Sequence, residues 1–236
     1  MTKYMEISTA IRQKIVEGKY PPGGKLPQEK VLGEAYGASK MTIKKAIDLL
    51  VAEGLVIKRS GSGTFVKSLS QPEIQRIHNL SQFKGATTLY ADEDVTSKVL
   101  SFEVMECPRL MAQKLNIAPG DKVWKVYRVR FLEDVPFVME KTYMPVEVIK
   151  GLQLAHLHGS LYGYIEKGLG LSIETFHRTL TVRNATLLEA SEMDLQERAA
   201  VAVGEQVAYL SNGVAFEYSI SVHKSELFSF STVVSR

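Results

Sequence analysis

Apolar residues at the head of the chain recur at three- and four-residue spacing: Tyr4, Ile7, Ile11 and Ile15. That spacing marks one buried face of a helix. Gly18 and the turn-rich run PPGGKLP, residues 21–27, bring it to an end. Residues 30–36 read as a second, short helix with Val31, Leu32 and Ala35 facing inward, stopped by Gly37. Ser39 is placed to cap a third helix, because its hydroxyl can accept an orphaned backbone N–H. Along that helix Ile43, Ala46, Ile47 and Leu50 share one face, while Met41, Lys44, Lys45 and Asp48 lie opposite. Gly54 ends it. Residues 55–58 and 64–67 then read as two short strands around RSGSG, where Gly61 and Gly63 permit a tight turn. Three helices followed by a two-stranded ribbon make a winged helix-turn-helix plan over residues 1–67.

Over residues 68–82 the periodicity weakens and Pro72 interrupts it, which predicts a linker. Residues 83–236 then alternate strand-like and helical runs. The clearest strand is 123–131, joined through the turn LEDVP to 137–143 in a hairpin. Helices are expected over 109–115, 161–167 and 185–193, and further antiparallel strands over 207–210, 213–222 and 227–234. The fold class is α+β: an N-terminal winged helix-turn-helix and a C-terminal antiparallel-sheet domain with flanking helices.

Charge sharpens this division. Residues 1–67 hold 12 Lys and Arg against 6 Asp and Glu, whereas the rest hold 17 against 20. A basic head on a mildly acidic body suggests different partners for the two parts. The single cysteine, Cys107, excludes an internal disulfide, and the sequence shows neither an export signal nor a membrane span, so a cytoplasmic protein is expected.

The third helix would enter the DNA major groove through Ser39, Lys40, Met41 and Lys44, and the wing, residues 59–63 with Arg59, would follow the backbone or reach the minor groove. In VWKVYRVRF, alternation places Val123, Lys125, Tyr127, Val129 and Phe131 on one face, and Trp124, Val126, Arg128 and Arg130 on the other. Two guanidiniums so close together need a counter-charge. Glu140 supplies it if the hairpin register sets it opposite Arg128. The pair then either holds the sheet together or forms one wall of an anion pocket. Ser160 opens the next helix, as a plain cap or as an anion-binding N-terminus, and Tyr162 either packs or meets a ligand.

The stretch LPQEKVLGEAYGASKMTIKKAIDLLVAEGLVIKRSGSGTFV resembles the DNA-binding domain of GntR-type bacterial transcription regulators. The resemblance implies that Lys30, Ser39, Lys40, Thr42, Lys44, Ser60 and Gly61 touch operator DNA. Lys30, Lys40 and Lys44 stand where the family commonly has arginine, and Gln28 where it favours a serine cap. KVWKVYRVRFLEDVPFVMEKTYMP, HGSLYGYIEKGLGLSI and GVAFEYSISVH are similar to the UTRA effector-binding domain of HutC-type members. That likeness implies a fold like chorismate lyase, a homodimer, and ligands that are often phosphorylated sugars. It also implies that Arg128, Arg130, Glu140, Ser160, Tyr162 and Glu217 face the ligand. His223 occupies a position where members often have tyrosine, and KSELFSF lacks the Arg-Gly-Asp run many members carry. The expected function is a repressor released from double-stranded operator DNA by a small anionic effector, a sugar phosphate. The alternatives are a non-phosphorylated small acid as effector, or a chorismate-lyase-like enzyme.

No Cys/His cluster has zinc spacing, and there is no Gly-x-Ser-x-Gly elbow and no phosphate-binding glycine loop of the Walker or Rossmann type. No metal, cofactor or catalytic residue is expected.

Overall fold

The computed structural model describes residues 2–70, 73–74, 95–228 and 230, and the chain divides into two units, 1–83 with 230–236, and 84–229. Most of the expected linker, residues 71–72 and 75–82, lies outside the described residues.

In the first unit, helix α1 (Lys3–Val16) lays Ile7, Ile11 and Ile15 against the buried face of α3 (Lys40–Ala52), formed by Ile43, Ala46, Ile47 and Leu50. The forked guanidinium of Arg12 locks the two helices together, reaching Glu53 at 3.0 and 2.5 Å. Helix α2 (Glu29–Tyr36) ends at Gly37, whose left-handed backbone (φ 56°) lets the chain turn sharply into α3. Only Leu32 of the three residues expected inward on α2 is buried: Val31 is 50 % exposed and Ala35 is also exposed. The inner side of the helix is rotated toward Leu32, Gly33 and Tyr36, because Gly33 packs so close to the Ala38 carbonyl that a Cβ would lie 3.1 Å from it. Strands β1 (Val56–Arg59) and β2 (Gly63–Val66) form the wing, with Arg59 opposite Gly63.

In the second unit, six antiparallel strands lie in the order β3-β4-β5-β8-β7-β6. They are β3 (Val95–Glu106), β4 (Lys122–Leu132), β5 (Val135–Pro145), β6 (Ile173–Asn184), β7 (Ala200–Leu210) and β8 (Ala215–Lys224). The β4–β5 hairpin turns on Glu133 and Asp134, both left-handed (φ 46° and 65°), which matches the twist of the flanking strands. Arg128 stands directly opposite Glu140, as the alternation requires.

Both faces of the central strands are covered. Helices α4 (Arg109–Leu115) and α7 (Leu187–Glu192) pack on the face of Val123, Val129, Tyr143 and Val222. Two short helices, α5 (Leu154–Leu157) and α6 (Leu161–Gly163), and the turn after them pack on the other, through Leu157, Leu161 and Ile165 against Val126, Ala208 and Phe216.

Two expected elements differ. The 161–167 helix is only one α-turn, continued by a π-turn over Tyr164–Gly168. There the Tyr164 ring lies where a Cβ on Gly168 would be, 2.9 Å away, so the wider turn accommodates the ring. At the other end, Leu227 closes a 3₁₀ turn (Ser225–Leu227) instead of beginning a strand. Strand β8 is already paired on both edges, by β5 and β7, so the chain beyond it has no neighbouring free edge to join. Most of the remaining expected strand lies outside the described residues.

Candidate functional site

The surface of the first unit that sequence reasoning singled out is a groove of about 980 Å³. It runs between α2, the head of α3 and the wing, and it brings Lys30, Lys40 and Gly61 together. Lys25, which the sequence did not single out, lines it as well. Lys44 lies exposed farther along α3. Ser39 caps α3, accepting from the Thr42 backbone N–H at 3.3 Å, and its hydroxyl also meets that of Thr42 at 2.9 Å. Ser39 and Thr42 therefore shape the head of the helix. In the wing, Ser60 and Gly61 are exposed, and Gly61 takes φ +70°, which a side chain would resist. The Arg59 guanidinium sits 4.9 Å from the centre of the Phe65 ring. Lys58 is engaged by Asp48 of α3 at 2.6 Å, which ties wing to helix.

In the second unit, strand register assembles one polar sheet face from residues far apart in sequence. Arg130, Val138, His223 and Ala202 form one cross-strand row, and Arg128, Glu140, Ser221 and Gly204 the next. A third holds Thr142, Ser219, Gln206 and Arg178. Arg128 and Arg130 are 4 % and 2 % exposed. Arg128 donates to Glu140 at 2.9 Å and to the carbonyls of Leu157 and Gly159 at 2.8 and 3.4 Å. Its fork is thus already occupied in pinning the α5–α6 segment to the sheet. Ser160 follows, and its hydroxyl caps α6 by accepting from the Gly163 N–H at 3.0 Å. Tyr162 donates its hydroxyl to Glu217 at 3.0 Å and accepts from Gln206 at 3.0 Å. Ser219 donates to the same Glu217 oxygen at 2.7 Å, and Gln206 accepts from Arg178 at 2.8 Å.

Arg178, Gln206, Ser219 and Ser221 were not anticipated, and neither was Ser97. Ser97 stands opposite Arg130 and buries a hydroxyl without a hydrogen-bond partner among the described residues. Gly204 gave the readable signal, since a glycine within a valine-rich strand marks close approach. A Cβ there would lie 2.9 Å from the Ser221 hydroxyl.

The face holds three guanidiniums, Arg128, Arg130 and Arg178, against two carboxyls, Glu140 and Glu217. Burial, then repulsion from Arg128, lowers Arg130 to about 10, with Glu140 opposing. Burial pushes the Glu140 carboxyl up, but Arg128 and Arg130 outweigh it and hold it below its ordinary value. Glu217 goes the other way: burial raises it, despite hydrogen bonds from Ser219 and Tyr162. Burial and then the Glu217 charge likewise push the Tyr162 hydroxyl well up. With Glu217 the weaker acid, the balance of the face is cationic.

Residues 3–66 match the bacterial regulatory proteins of the gntR family, and residues 91–229 match the UTRA domain. The chain belongs to the GntR family of transcription regulators. GmuR of Bacillus subtilis, an HTH-type transcriptional regulator, is 34 % identical over 99 % of this chain and 98 % of its own. The mannosyl-D-glycerate transport/metabolism system repressor MngR of Escherichia coli is 28 % identical over 99 % of this chain and 96 % of its own. Among solved structures, the possible transcriptional regulator YydK of B. subtilis superposes with a TM-score of 0.83 at 27 % identity, covering 98 % of this chain and all of that one. This GntR regulator is therefore a DNA-binding protein with a small-molecule effector domain, not an enzyme. No helix among its described residues is long and apolar enough to cross a membrane.

On the same sheet face of this GntR regulator, burial holds the His223 imidazole neutral. Its ring nitrogen lies 3.2 Å from the Ser221 hydroxyl, and its ring centre 4.9 Å from that of Phe228. Burial lowers it from 6.5 to about 4, Glu140 raising it and Arg178 adding to the lowering. Between those values the unfolded chain binds a proton that the folded chain refuses, so stability falls as pH drops from 6.5 toward 4. Relative to His223→Gln, wild type should lose stability across that window and hold a constant difference above it. Urea midpoints measured against pH for both proteins check this, and parallel curves through the window would refute it.

Proposed function

We propose that this regulator is a repressor, acting as a homodimer in the cytoplasm, whose affinity for operator DNA falls when a phosphorylated sugar binds the UTRA domain. The observation that carries this reading is the cationic sheet face, on which three arginines outnumber two carboxyls beside the hydroxyls of Ser97, Ser219 and Ser221. Guanidinium forks suit phosphate oxygens, and hydroxyl and amide groups suit the sugar. Arg130, Tyr162, Glu217 and His223 then meet the ligand, while Arg128, Glu140 and Ser160 hold the wall it rests on. The similarity to MngR, a repressor of a mannosyl-D-glycerate transport and metabolism system, supports both the mode of action and a sugar-derived effector. At the other end, the head of α3 enters the major groove, the wing follows the backbone, and Lys30 and Lys40 reach phosphates.

The test uses the full chain and an operator duplex selected by the protein from random-sequence DNA. Calorimetry with hexose and hexosamine phosphates, their unphosphorylated parents and inorganic phosphate should find a phosphorylated sugar bound at least about tenfold more tightly than its parent. A saturating operator duplex must then weaken that binding by the same factor as the sugar phosphate weakens operator binding, because linkage is reciprocal. Equal affinity for parent and phosphate would remove the phosphosugar reading. Effector affinity unchanged by operator would remove repression by release.

A further inference from the structure

The exposed face of α3 carries one large apolar residue, Met41, amid charges. With about 100° per residue, the buried stripe of Ile43, Ala46, Ile47 and Leu50 centres roughly 190° from Met41, so Met41 points almost directly away from the core. Lys45 and Lys44 flank it at roughly 40° and 60° on either side. Met41 is 62 % exposed, more than Met5, Val31, Ile57 or Phe230, the other large apolar residues exposed among the described residues of this unit. Asp48 shares the same line two turns along, but it is held by Lys58 at 2.6 Å. The polar groups of the first turn are also engaged locally, since Ser39 bonds the Thr42 backbone and hydroxyl. What the head of α3 presents farthest from the core is therefore a thioether between ammonium groups.

We propose that Met41 is a specificity-determining residue that reads the C5-methyl group of a thymine in the operator. The inference rests on the reading that α3 enters the major groove. In that groove thymine alone among the four bases displays a methyl group, and apolar side chains recognise it by contact. The flanking lysines would take phosphates, which carry no sequence information but fix the helix in register. A flexible, polarizable thioether follows a methyl group closely without needing a hydrogen-bond partner.

The experiment removes only that methyl group. An operator duplex selected by the wild-type protein is resynthesised with deoxyuridine replacing each thymidine singly. Affinities are then measured by fluorescence anisotropy for wild type, Met41→Ala and Lys44→Ala. Wild type should lose about fourfold at one or more specific positions, the effect of one buried methyl group, and Met41→Ala should bind those uracil and thymine duplexes equally. Wild type indifferent to every uracil substitution would overturn the proposal, as would Met41→Ala keeping the wild-type methyl dependence. Lys44→Ala separates the underlying reading: if it binds operator as tightly as wild type, α3 is not in the groove and both fall. If Lys44→Ala loses affinity while Met41→Ala keeps the methyl dependence, only the methyl reading falls. Unfolding temperatures of the variants control for fold, and both substituted residues are exposed.

Discussion

Replacing Arg130 with methionine should weaken binding of the proposed phosphorylated effector by about 10- to 150-fold, the loss of one charged hydrogen-bonding group, while the protein unfolds at the same temperature or higher. Arg130 is 2 % exposed, two residues from Arg128 on the same face, and burial with that repulsion lowers it to about 10. A folded pKa below the ordinary arginine value means that the fold disfavours this cation. Methionine of similar length fills the volume without the charge, and such replacements are often neutral or stabilising. Function would then retain what stability alone disfavours, because a phosphate dianion adds negative charge to a face where guanidiniums outnumber carboxyls. Arg128→Met should behave in the opposite way. Its fork holds Glu140 and the Leu157 and Gly159 carbonyls, so removing it strands a carboxylate and loosens the α5–α6 segment, lowering the unfolding temperature. Calorimetric titration with the sugar phosphate, alongside thermal unfolding, distinguishes the pair. Unchanged affinity in Arg130→Met places the anion elsewhere.

That contrast between adjacent arginines shows how far the sequence could be read. Alternation in VWKVYRVRF put both guanidiniums on one face and made Glu140 the natural partner of Arg128, and the register bears this out. Alternation could not divide their work, because the division depends on carbonyls of a distant segment that folds back over the sheet. The remainder of the face was hidden for a related reason. Ser97, Arg178, Gln206, Ser219 and Ser221 sit on four strands, and a lone polar residue on a strand looks the same whether it faces solvent or a ligand. Only the strand order β3-β4-β5-β8-β7-β6 brings them into rows.

Edge position accounts for the strands that went unplaced. β3 and β6 are the outer strands, and β6 is exposed along most of its length, so its residues alternate weakly between apolar and polar. The central strands are covered on both faces and carry the valine-rich runs that read clearly. Helix α2 failed differently. Val31 and Ala35 have inward composition, yet the close approach of Gly33 to the Ala38 carbonyl turns them outward. Glycine packing of this kind sets the rotation of a helix, and an eight-residue periodicity is too short to reveal it.

On α3, where periodicity and burial agree, the largest effect is expected from removing its two leading lysines. A Lys40→Ala/Lys44→Ala double variant should lose on the order of 100-fold in operator affinity, two charged contacts at about tenfold or more each. Both side chains are exposed and take part in no ion pair among the described residues, so the unfolding temperature should stay near wild type. The salt dependence separates this from general damage. Each phosphate neutralised releases condensed counterions, and losing two such contacts should flatten the slope of log affinity against log salt by about two. The loss should be nearly uniform across operator sequences, since lysine on a phosphate positions the helix without reading bases. Lysine in place of the bidentate arginine fork makes that uniformity the sharper expectation, because a point charge lacks the planar match to guanine. A variant that keeps the wild-type slope while losing affinity would show that these lysines act on the fold or on bases. A variant that keeps both would remove α3 from the DNA interface altogether.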